Sequence, residues 1–138
     1  MSDLKQILVI MSAILLLSWR ASGMDRLDAL SQIESQNNDR AIGPQQEVSR
    51  YQILPAFWEQ ANVPWHPTNP ILARGVVSWI MQARCRTFEA RYHRAPDDFE
   101  YYILWHRPAC YIGRPKPRTL TSHEIDRGRR FTTLCQSE

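Results

Sequence analysis

The chain has 138 residues, of which 43% are hydrophobic, 10% aromatic and 22% charged, a composition that supports one globular core and excludes a low-complexity chain. Its formal net charge of +3 is too mild an excess to predict a nucleic-acid partner. Four histidines, at positions 66, 93, 106 and 123, show no metal-ligand spacing, and none is expected to hold a metal.

Residues 7–19, ILVIMSAILLLSW, form an uncharged apolar run, preceded by Lys5 and followed by Ala21, Ser22 and Gly23 at a spacing suited to signal peptidase. Residues 1–23 are therefore expected to be an export signal, and residues 24–138 the mature domain. The run falls short of the roughly 17 to 25 apolar residues that span a bilayer, although extending it through Ala21 keeps an N-terminal membrane anchor open. A buried amphipathic helix is the remaining reading, but no polar face interrupts the run.

The first mature helix is expected from Asp25 to Ser35, with Asp25 and Asp28 where the helix dipole favours acids and Leu27, Leu30 and Ile33 at helical spacing. Gln36-Asn37-Asn38-Asp39 stops it, because these side chains bond their own backbone readily. Pro55 suits the first turn of a short helix over Ala56 to Ala61, and Pro64, Pro67 and Pro70 then break regular structure. Asn69-Pro70 opens a long helix to about His93, with Leu72, Val76, Trp79, Ile80 and Phe88 as its buried stripe. Trp58 and Trp65 are likewise assigned to the core.

Pro96-Asp97-Asp98 begins a further helix that Arg107-Pro108 ends. Gly113 through Pro117 reads as a basic, proline-rich loop, and Thr121 with Glu124 as a capping box for a last helix to about Cys135. The expected class is mainly α. Cys85, Cys110 and Cys135 lack the close pairs of metal knuckles or redox motifs, and both one disulfide and ordinary core cysteines stay open.

Glu34 ends the first helix on the border of its apolar stripe, where partial burial would disfavour its charged form and raise its pKa. That is the property a general acid needs to hold a proton near neutral pH. The stretch 29–58 carries Glu34-Ser35, a polar loop through Gly43-Pro44, and Ser49-Arg50-Tyr51-Gln52-Ile53 before Pro55. In order, spacing and residue type it resembles the soluble lytic transglycosylase family of the lysozyme superfamily. Trp105 in the segment 101–108 is similar to that family's later aromatic, with His106 where the family usually has asparagine. The Asn69-Pro70 helix start and the segment 126–131 extend the resemblance to about Leu27 through Leu134.

The resemblance implies a lysozyme-like helical domain with a substrate groove, and the signal segment before it implies export to the periplasm or the extracellular side. It implies a partner, the peptidoglycan glycan strand of alternating N-acetylmuramic acid and N-acetylglucosamine, no cofactor, and a monomer. Glu34 would be the catalytic acid and then the base on the muramyl 6-hydroxyl, giving a 1,6-anhydro product without a second carboxylate. Ser35, Ser49 and Gln52 would bind substrate or orient the acid, and Tyr51, Tyr102 and Trp105 would offer ring faces to sugars. His106 would donate to an acetamido group or mark weakened activity. Asp39 and Glu47 are the carboxylates nearest in sequence; either of them facing the groove could activate water and make the enzyme a hydrolase. A non-catalytic wall-binding protein of the same fold and a membrane-tethered helical module are the competing readings.

Overall fold

The computed structural model describes residues 23–113 and 119–137; the expected export signal lies outside them apart from Gly23, as does most of the basic loop. The described chain is mainly helical: α1 (Arg26–Ser35), α2 (Pro55–Gln60), α3 (Pro70–Tyr92), α4 (Asp98–His106), a 3-10 turn (Pro108–Cys110) and α5 (Ser122–Gln136). Among these residues β structure is confined to two isolated antiparallel bridges, Ile42 with Val48 and Val48 with Ile53. No described helix is long and apolar enough to cross a membrane.

Each helix start has a side-chain cap or a first-turn proline. The Asp25 side chain accepts from the Leu27 amide and Asn69 from those of Ile71 and Leu72, while α4 and α5 carry reciprocal boxes, Asp97 with Glu100 and Thr121 with Glu124. At the end of α1, Gln36 and Asn37 turn left-handed (φ 55° and 64°), and their amides return to the Gln32 and Ser31 carbonyls.

α4 is the hub. Its residues Tyr101 through Trp105 are all buried, and it packs most extensively on α5 and also on α3, with α1 completing the other side of α5. Gly128 permits this closeness, since a Cβ there would lie 2.6 Å from the Phe99 ring. On α3 the buried stripe is Ala73, Val76, Val77, Ile80, Met81 and Phe88.

Two expected core residues are not in the core. Trp79 is 46% exposed because it falls off that stripe, and Trp65 is 51% exposed, touching the buried Trp58 edge-on at 5.7 Å. Cys110 is buried, and Cys85 and Cys135 are half-buried thiols whose titration burial pushes upward, to about 11 for Cys135.

Candidate functional site

A groove of about 520 Å³ opens between the last turn of α1, the 43–54 loop, α3, the end of α4 and the start of α5. Glu34 lies in it with only 8% of its side chain exposed. The Tyr102 hydroxyl donates to its Oε1 at 3.2 Å, and Arg127 Nη2 stands 3.2 Å from Oε2 while also donating to the Ile33 carbonyl at 3.0 Å. Burial raises the Glu34 carboxyl above its usual range; Arg127 and the Tyr102 hydroxyl oppose the rise and nearby Glu47 adds to it, leaving the acid raised.

The facing wall is the 43–54 loop. Val48 and Ile53 exchange two backbone hydrogen bonds of 2.8 Å, and the four residues between them turn with left-handed Ser49 (φ 72°) and Gln52 (φ 54°). Glu47 and Gln52 both line the groove and converge over Gly43, where a Cβ would lie 2.3 Å from Glu47 Oε2 and 2.5 Å from Gln52 Oε1. The glycine is there for close approach. Glu47 Oε2 accepts from the Gln45 amide at 2.8 Å.

The far end is ionic. Glu124 accepts from Arg107 Nη1 at 2.8 and 2.9 Å and from the Thr121 amide at 2.7 Å. Burial pushes this carboxyl up, but Thr121 and Arg107 outweigh it and hold it below the ordinary range. His106 stacks on Tyr102 at 5.8 Å, with Nε2 4.0 Å from Glu124, and its pKa is lowered by burial and by Arg127. It is therefore neutral at pH 7, able both to donate and to accept.

No family model matches the chain, and no curated protein or solved structure matches it significantly. What the site can do follows from its own geometry. A sheltered acid with a raised pKa, a second carboxylate on the facing loop, and a tryptophan and an imidazole beside them form an arrangement suited to protonating a leaving oxygen on a polar, ring-bearing ligand. Among the described residues no cluster of histidine, cysteine or acidic side chains is placed to hold a metal.

Of the residues expected at the site, Glu34, Gln52, Trp105 and His106 line this groove, and Tyr102 reaches it through its hydroxyl alone. Tyr102 is fully buried, so it positions the acid and offers no ring face. Tyr51 and Ser49 are buried away from the groove. The first belongs to the core, and the second accepts from the Tyr51 amide and borders a separate shallow depression. Ser35 is also elsewhere, tying α1 to the loop by donating to the Arg50 carbonyl at 2.8 Å. The loop's own torsion accounts for the first two: with left-handed residues at 49 and 52, Gln52 lines the groove while Tyr51 is buried in the core. Asp39 is held by Arg50 at 2.6 and 2.9 Å and does not line the groove, whereas Glu47 does.

Arg84, Arg107, Glu124 and Arg127 also line the groove, and the sequence points to none of them as a site residue. Arg84 had a readable signal, since it falls at the apolar spacing of α3, with Ile80 and Phe88 one turn to either side. Arg127 meets Glu34 across 93 positions of chain, and no local pattern reveals that.

Proposed function

We propose that the chain cleaves peptidoglycan glycan strands between N-acetylmuramic acid and N-acetylglucosamine, on a lysozyme-like helical domain, with Glu34 as the acid. The observation carrying this reading is the Glu34 carboxyl itself, 8% exposed, in a groove bordered by Gln52 and Trp105, with its pKa raised by burial. Glu34 gives its proton to the leaving glucosamine oxygen as the bond to the muramyl anomeric carbon breaks. In the lytic transglycosylase route, it then takes the proton of the muramyl 6-hydroxyl as that oxygen bonds to the same carbon, and no water is consumed. Trp105 offers an apolar surface to a sugar ring, and Gln52 and neutral His106 supply donors and acceptors for acetamido and hydroxyl groups.

Glu47 supports a second outcome at the same site. It lines the groove with Glu34, so it can accept the proton of a water attacking the anomeric carbon, which makes the reaction a two-carboxylate hydrolysis. The two products differ in mass by one water.

The test is turnover. The purified chain should release muropeptides from cell-wall sacculi, and the Glu34→Gln protein, with an unchanged circular dichroism spectrum, should not. Equal release by both proteins removes Glu34 from the chemistry, and sacculi that pull the protein down uncut identify a wall-binding protein instead. An anhydro product assigns the first route, and a reducing-end product lost in Glu47→Gln assigns the second.

A further inference from the structure

Among the described residues, Arg84 is the groove arginine that has no carboxylate beside it. Arg84 stands on the buried stripe of α3, where Val77, Ile80, Met81 and Phe88 at helical spacing from it are all apolar and buried. Its Nη1 donates to the Leu104 and Trp105 carbonyls at 2.8 and 2.7 Å, two acceptors that the end of α4 leaves without helical partners. Its guanidinium lies against the Phe57 ring at 5.1 Å and the Trp105 ring at 5.6 Å. Among the described residues no carboxylate lies within 4.0 Å of it, and its Nε and Nη2 have no hydrogen-bond partner. The other two arginines of the groove are engaged, Arg107 by Glu124 and Arg127 by Glu34. Burial without a counter-charge is unfavourable for a guanidinium, and it brings the Arg84 pKa down to about 10. A half-buried cation that lines the groove, fixed at one nitrogen and set against two rings, keeps two donors for a planar anion to meet bidentately.

Resting on the glycan-cleaving reading above, we propose that Arg84 forms a carboxylate subsite of the groove, taking the acid carried on the 3-O-lactyl arm of a muramyl sugar. On a strand stripped of peptide that acid is the lactyl carboxylate, and on a peptide-bearing strand it is a carboxylate of the attached acidic peptide. Either one supplies the two oxygens that the free Nε and Nη2 donors can meet.

The test uses the full chain and ligands with no glycosidic bond to cut. N-acetylmuramic acid is compared with its neutral methyl ester, and N-acetylmuramyl-L-alanyl-D-glutamate with its diamide, by calorimetry and by the NMR signal of the Arg84 Nε–H. The expected result is roughly tenfold tighter binding of the acid within at least one pair, in line with a charge-assisted hydrogen bond, and an Nε–H shift with that acid alone. Which pair discriminates identifies the source of the carboxylate. Arg84→Gln should abolish the preference and Arg84→Lys should keep part of it. Since Arg84→Gln also removes a cap from α4 and could fail to fold, the paired ligands on the native protein decide independently. Equal affinities within both pairs, no binding of either acid at millimolar concentration, or a preference that a folded Arg84→Gln protein retains overturns the subsite. Failure to cut sacculi leaves this binding result untouched, so the two readings fail separately.

Discussion

Arg127 faces Glu34 with its charge and the Ile33 carbonyl with a hydrogen bond, and replacing it with methionine removes both while keeping much of the stem. At an effective dielectric of about 20, unit charges 3.2 Å apart attract by roughly 5 kcal/mol. Arg127 is 20% exposed and solvent takes part of that, so the expected effect is a further rise of one to three units in the Glu34 pKa, about 1.4 to 4 kcal/mol. The sign follows from the acid's role. In the proposed mechanism Glu34 acts protonated, so the alkaline limb of the rate profile should move to higher pH by the same one to three units. Stability gives a second readout. Below the ordinary carboxyl range Glu34 is protonated in folded and unfolded chains alike, and the variant loses only the Ile33 bond and the contact with the Tyr102 ring. As pH rises, the unfolded carboxyl ionises freely while the folded one resists, and the loss grows until pH passes the variant's folded pKa. Urea unfolding at pH 4 and pH 8, with a carboxyl-carbon NMR titration of Glu34, measures it. An equal loss at both pH values and an unmoved Glu34 titration would refute the ion pair as the source.

Glu124, held below the ordinary range by Thr121 and Arg107, contributes stability above its unfolded pKa and loses it as pH falls through its folded one; Glu124→Gln should therefore cost more at pH 7 than at pH 3 in chemical denaturation. Gly128→Ala forces a methyl against the Phe99 ring at 2.6 Å and should destabilise by about 1 to 3 kcal/mol, seen as a lower urea midpoint with unchanged slope. Gly43→Ala should leave the midpoint within about 1 kcal/mol of the parent, because the atoms it meets are ends of flexible side chains, yet it should lower sacculus cleavage by displacing Glu47 and Gln52. Trp105→Ala should weaken binding of glycan fragments more than it slows turnover at saturation, measured as KM against kcat.

What could be read from sequence was whatever is local. The helix starts at Asp25, Asn69, Asp97 and Thr121 are short-range hydrogen-bond patterns, and each is present in the structure within a residue or two of its expected place. Glu34 was legible for the same reason, as a carboxylate at the edge of an apolar stripe. The errors share one physical cause. Spacing puts Trp79 on the α3 stripe and hydrophobicity puts Trp65 in the core, but a large ring is buried only where a neighbouring element covers it. Tyr51 and Ser49 depend on the left-handed torsions of their loop, and Tyr102 on the packing of α4 against α5, neither of which is written in residue order. The cations of the groove come from three separate elements and meet only when α3, α4 and α5 assemble.

The phenol that touches Glu34 belongs to a run of five consecutive buried residues, of which Trp105 alone lines the groove. Its oxygen can shift only if the interior shifts with it, and close-packed interiors yield little. The Glu34 carboxyl thus inherits its aim from the packed interior rather than from the loop opposite, so the cost of orienting it is met once, during folding, and not at each encounter with a ligand.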